Sequence, residues 1–139
     1  MRWHYRDGAL LWLFPPAYAV HVLEQLVAGD GFLLVNAVGM VLLVAAVRRT
    51  CRDEHAGWMA IAIATLAAVN GMAHVSATLV SGRYSPGLIS GVVLYIPLAA
   101  LTLLRAAYQA DGSTIGRGVA AGLAIQAAAL VAARLLSRA

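Results

Sequence analysis

The chain contains no lysine, a single cysteine and only six acidic residues in 139. With no second cysteine an intramolecular disulfide is excluded, and Cys51 stands beside an arginine cluster. No Asp-rich diphosphate motif occurs, which argues against ionisation of a diphosphate substrate. Charge as a whole is scarce: 12% of residues are charged and 62% hydrophobic, with a mean hydropathy of +0.81. Ordinary soluble domains do not approach that balance, so the composition predicts an integral membrane protein. A spanning helix consumes about 20 residues to cross a core of roughly 30 Å, so residues 1–139 make one transmembrane helical domain.

The basic residues are ten arginines, giving a net charge of +4. They stand at the edges of apolar segments, where they act as topology signals and headgroup contacts. The expected partner is therefore the lipid bilayer, and no nucleic acid. Arg2 and Arg6 ahead of an apolar run, with Ala17-Tyr18-Ala19 beyond it, imitate a secretory leader. Pro15 and Pro16 interrupt that run and apolar character resumes after it, so the segment is expected to remain and span.

Five apolar segments follow one another: Ala9 to Ala28, Phe32 to Val47, Trp58 to Leu79, Pro86 to Ala107 and Gly118 to Leu136. Gly29-Asp30-Gly31 predicts a tight turn, Arg48 to His55 a polar loop, Ser81 to Ser85 a shorter one, and Asp111-Gly112-Ser113-Thr114 the last connection. In hydrocarbon each segment must be helical to satisfy its own backbone groups. The expected fold is all-α, a bundle of five transmembrane helices. A short second segment leaves its start open between Asp30 and Phe32.

Arginine distribution orients the bundle. A cytoplasmic amino terminus places Arg2, Arg6, Arg48, Arg49, Arg52, Arg105 and Arg117 inside and Arg83, Arg134 and Arg138 outside. The carboxyl terminus is then predicted to face outward. Trp3, Trp12, Trp58 and Tyr108 fall near segment ends, as interfacial aromatics do. Pro15-Pro16 should bend the first helix before His21, either for packing or to shape a cavity. Gly87 with Gly91, and Gly118 with Gly122, are small-residue pairs that allow close helix approach, within a protomer or in a homo-oligomer.

Apart from arginines near the ends, three ionisable residues lie within the apolar spans: His21 and Glu24 on the first and His74 on the third. Gln25, Asn36, Asn70 and Gln126 are their neutral companions. His21, Glu24 and Gln25 share one helix face, and Asn70 and His74 another. At about 1.5 Å per residue, His21 and Glu24 lie roughly 6 to 11 Å below the outer end of the first helix and His74 roughly 8 Å below that of the third. Asn36 is about one turn into the second helix and Tyr84 stands where the fourth begins, so four helices offer polar groups at one level. A charge at mid-bilayer costs several kcal/mol, so these groups should face the interior and satisfy one another. Each favours its uncharged form there unless they pair as carboxylate and imidazolium.

Three motifs carry a family resemblance: His21-Val22-Leu23-Glu24 followed by Gln25, then Asn70-Gly71-Met72-Ala73-His74, then Tyr84-Ser85-Pro86-Gly87. Together they resemble the HXXEE family of small bacterial membrane proteins, over roughly His21 to Leu103. The family's function is undetermined; the resemblance implies an active or metal site at the motif residues. Gln25 stands where that family has a second glutamate, which argues against a mechanism needing two carboxylates, including a two-metal centre.

Three function classes follow. The first is an intramembrane enzyme acting on a lipophilic, isoprenoid-like molecule by acid-base chemistry, such as protonation-driven cyclisation or isomerisation. It needs no cofactor: Glu24 gives or takes the proton, His21 and His74 tune or return it, and Gln25, Asn36, Asn70 and Tyr84 bind the substrate. The second is a metal-dependent hydrolase or oxidase with one divalent ion held by His21, Glu24 and His74. The third is non-catalytic: a small-molecule binder, a proton-coupled carrier, or a bundle held by a satisfied polar cluster.

Overall fold

The structure, a computed structural model, describes residues 5–28 and 33–136. Helices α1 (Tyr5–Leu11) and α2 (Phe14–Val27) make the first span and α3 (Leu33–Arg52) the second. After a 3-10 turn at Glu54–Ala56, α4 (Gly57–Ser81) is the third. The fourth span is compound: one α-turn, α5 (Leu88–Ser90), a π-helical stretch Gly91–Tyr95, and α6 (Ile96–Gln109). The last is α7 (Gly112–Leu136). Among the described residues there is no strand, and five helices are long and apolar enough to cross a membrane. The expected all-α architecture of five spans is the observed one.

α4 is the hub. It packs against α7, α6, the π stretch and α3, and its middle, from Ala60 to Ala67, is largely buried. Alanines at 60, 64 and 67 let neighbouring backbones come close, the packing mode available where apolar side chains gain little by leaving lipid. Leu11, Phe14, Val47, Ile63 and Tyr95 fill the spaces between helices. Gly118 and Gly122 serve this intramolecular contact: a methyl at Gly118 would meet Ile61 Cβ at 2.5 Å, and one at Gly122 the carbonyl oxygen of Ala62 at 2.7 Å. Gly71 and Gly91 similarly bring α4 against the π stretch, a methyl on Gly91 falling 3.1 Å from the Gly71 Cα.

Several expected boundaries move. The first span is broken at Trp12–Leu13 rather than bent, because Pro15 and Pro16 lie in the first turn of a new helix, where a missing N–H leaves no helical acceptor unpaired. α3 continues through Arg48 and Arg49 to Arg52, so most of the expected polar loop is helix. Arginines there complement the carbonyl end of the helix dipole, and Arg49 pairs with Asp53 at 3.8 Å. α7 starts six residues before the expected Gly118 because Asp111 caps it. Its carboxylate accepts from the Thr114 N–H at 2.9 Å and from the hydroxyls of Ser113 and Thr114, which hold its pKa below the usual carboxylate range. Trp58 opens α4 with the Arg117 guanidinium 4.7 Å above its ring, and Tyr108 ends α6 fully on the surface. The expected Gly29-Asp30-Gly31 turn, the start of the second segment before Leu33, and Arg2, Trp3 and Arg138 lie outside the described residues.

Candidate functional site

The loop before the fourth span shapes the site. Ser85-Pro86-Gly87-Leu88 forms a β-turn closed by the Leu88 N–H to the Ser85 carbonyl at 3.0 Å, with Pro86 presetting φ at the second position and Gly87 at φ 100°, ψ −3° in the third. Only glycine takes that conformation readily. It is also the only residue that fits, since a Cβ at Gly87 would stand 2.5 Å from His21 Cε1 and 2.9 Å from His74 Nε2.

Leu88 then begins a helix whose first-turn N–H groups have no partner within it. Glu24, from α2, supplies one: its Oε1 accepts from Ile89 N–H at 3.0 Å and its Oε2 from Ser90 N–H at 2.8 Å. The Tyr84 hydroxyl also donates to Oε1. Tyr84 is half-exposed, and this bond to a carboxylate raises its phenol pKa, keeping it a donor. Glu24 thus caps the fourth span from a different helix, with its negative charge at the positive end of the dipole.

The imidazoles form a second layer. His21 is only 3% exposed; its Nδ1 lies 2.8 Å from Ser90 Oγ, and its ring stacks on Tyr95 with centroids 4.5 Å apart. His74 places Nδ1 3.0 Å from Ser85 Oγ, and the two imidazoles meet edge to face at 5.1 Å. Gln25 Nε2 lies 3.3 Å from His21 Nε2 and 3.5 Å from His74 Nε2. A carboxamide nitrogen carries two hydrogens and can serve both rings at once. With the amide donating, each Nε2 accepts from Gln25 and each Nδ1 is turned to its serine, so the two Nε2 atoms converge on one side chain.

The expected residues therefore divide. His21, Glu24, Gln25, His74 and Tyr84 come together. Asn36 is engaged elsewhere, its Oδ1 accepting from Tyr18 hydroxyl at 3.0 Å. Asn70 has a buried Oδ1 without a hydrogen-bond partner among the described residues, as do Thr65 Oγ1 and Tyr95 hydroxyl. Gln126 is buried on α7. Four contributors escape a reading of the sequence for ionisable residues: Ser85, Ser90, Tyr95 and the backbone N–H of Ile89. Serine and tyrosine are ordinary in an apolar span, and a backbone donor has no sequence signature beyond the Ser-Pro-Gly turn that exposes it.

His21, Glu24 and His74 do not form a ligand set for one ion. The Glu24 oxygens face Ile89, Ser90 and Tyr84, whereas the free imidazole nitrogens face Gln25. Among the described residues no three His, Cys, Asp or Glu side chains stand together as a metal site.

The fold and cluster define a small helical protein with five membrane-length helices and a two-histidine polar centre toward one end. The chain belongs to the family described as protein of unknown function with HXXEE motif, which matches residues 12–102. That range contains every residue of the cluster and leaves out all of α7. Comparison with curated proteins and with solved structures yields no significant match in either.

Proposed function

We propose that this protein is an intramembrane enzyme that moves a proton on a lipophilic, isoprenoid-like small molecule, in an isomerisation. The observation that carries the reading is the convergence of two imidazole Nε2 atoms, from different spans, on one amide. A substrate that displaces Gln25 presents a C–H acidified by a neighbouring carbonyl, or the O–H of its enol, to one Nε2. That ring takes the proton and becomes imidazolium, and returning the proton to a different carbon completes an isomerisation with no net change in protons. Surrounding hydrocarbon excludes the water that would otherwise quench a reactive intermediate.

Glu24 receives a positioning role in this scheme. Its oxygens already hold three donors, and through Ser90 it fixes the hydroxyl that orients His21. His21 and His74 are the catalytic pair, with Gln25 and Tyr84 at the substrate. The bacterial cytoplasmic membrane is the proposed location. The arginines of α3 and those at Arg105 and Arg117 gather at the end opposite the site, which supports a cytoplasmic placement of that end and an outer-leaflet placement of the site.

The test uses the purified protein in lipid nanodiscs in heavy water, incubated with a bacterial polyprenyl lipid extract. Mass spectrometry is expected to find deuterium entering a non-exchangeable position of one lipid, with the rate reduced about a hundredfold or more in His74→Gln. No protein-dependent incorporation, or incorporation in His21→Gln and His74→Gln equal to that of the unaltered chain, rejects the reading in favour of a binding or structural role.

A further inference from the structure

The fourth span does not lie alongside α2 for its whole length. Within the fourth span α2 packs against α5 and the π stretch but touches α6 little, while α1 contacts α6. Between them is a cleft of about 350 Å³. Leu13, Pro16 and Val20 line one wall and Leu94, Pro97 and Leu101 the other, and every lining residue is apolar. Val20, Leu13 and Leu101 are each about half-exposed, so the cleft opens sideways, along the flank of the bundle.

Its position relative to the cluster is what gives it meaning. Ala17, in the cleft wall, is one turn from His21 on the same helix face, and Val93 and Leu94 are one turn from Ser90. The His21–Ser90 hydrogen bond of 2.8 Å joins the two helices one turn beyond the residues that line the cleft. From there to Leu13 the helix runs about 10 to 12 Å. The volume is near the lower limit for small-molecule sites, which run from roughly 300 Å³ upward. One hydrocarbon chain fits along it.

Charge at the polar end narrows the occupant. Among the described residues Glu24 is the one carboxylate bonded into the cluster, and its oxygens are committed to Tyr84, Ile89 and Ser90. Residue 25, between the imidazoles, is an amide. An ammonium head finds no free carboxylate there. Among the described residues, the partners of the two imidazoles, of Glu24 and of Gln25 are serine, tyrosine, backbone and one another; the neighbouring Arg83 bonds only through its backbone, to Ser81, and no guanidinium is built into the cluster.

We infer that this cleft holds the hydrocarbon chain of a single-chain, uncharged amphiphile, an alcohol or a carbonyl compound, which enters sideways from the bilayer with its head toward His21, His74 and Gln25. The inference rests on the proposed acid-base reading for its direction of binding, and it assigns the substrate class.

A photoreactive diazirine analogue of a prenyl alcohol, added to the full chain in nanodiscs, tests it. Labelled peptides are expected to come from Leu13–Val20 and Val93–Leu101 and to be suppressed by excess farnesol. Val20→Trp and Leu101→Trp, which plug the open side, are each expected to cut this labelling at least tenfold. Leu130→Trp, on the exposed face of α7, which contributes nothing to the lining, should leave it unchanged; thermal unfolding confirms that each variant is folded. Equal labelling by a diazirine phosphatidylcholine that farnesol does not displace identifies the occupant as bulk lipid and overturns the inference. Labelling that ignores both plugs, or no labelling, also overturns it. The two readings separate: His74→Gln abolishes deuterium transfer but leaves cleft labelling intact, so labelling without transfer rejects only the chemistry, and transfer without cleft labelling rejects only the cleft.

Discussion

Gly87 has two reasons to be glycine, and they can be separated. Its φ of 100° disfavours any side chain, and its missing Cβ is what lets the turn sit against both imidazoles. Gly82, at φ 64° with nothing within 4 Å of the place a methyl would occupy, has only the first reason. Gly82→Ala is thus expected to cost about 1 kcal/mol from backbone strain alone. Gly87→Ala should cost more, and should also abolish deuterium transfer by pushing the rings apart. Thermal unfolding and the exchange assay, run side by side, check this; equal loss of stability with activity retained in both would show that the rings tolerate displacement.

Glu24 illustrates how a charged residue in an apolar span can be structural in its immediate role. A carboxylate accepts from two backbone N–H groups, while a carboxamide turned the same way must aim its NH2 at one of them. Glu24→Gln is expected to destabilise the protein by about 2 kcal/mol, the scale of hydrogen bonds to a charged group. It should reduce activity through loss of order at Ser90 and His21 rather than through loss of the proton-transferring group. Amide hydrogen exchange at Ile89 and Ser90 distinguishes the cases: faster exchange is expected in the variant, and unchanged exchange with lost activity would return Glu24 to the role of proton donor.

At the level of elements, the fourth span shows why an irregular helix stands beside the site. Pro97 has no N–H to donate, and its ring would crowd the carbonyl of Val93 in a regular α-helix. The backbone widens instead to a π stretch, where Ile96 N–H reaches back to Gly91 carbonyl. The wider turn there brings Tyr95 onto His21. Pro97→Ala lets the segment rewind toward α geometry, and the expected result is loss of the Tyr95–His21 ring contact, visible in ring-proton NMR shifts of His21. Persistence of those shifts would mean that Gly71–Gly91 packing, and not Pro97, imposes the π turn.

For the whole molecule, the testable statement is orientation. With Cys51 replaced by serine, a cysteine at Arg83 is expected to react with a membrane-impermeant maleimide on intact cells, and one at Ser113 only after permeabilisation. The reverse pattern would invert the bundle and place the histidine centre toward the cytoplasm.

The number of spans was legible in the sequence because hydrocarbon demands that each apolar run of sufficient length close its own hydrogen bonds as a helix. Membership of the cluster was legible for His21, Glu24, Gln25, His74 and Tyr84, because a polar group inside a span must find partners at its own depth. Boundaries were less so: at α3 and α7 the arginines and Asp111 read as loop, although both are favourable at helix ends. Only tertiary structure decided which partner each group takes. It gave Glu24 to a helix terminus, Gln25 to both imidazoles and Asn36 to Tyr18, because hydrogen bonds are directional and short, and depth along separate helices does not fix which faces meet.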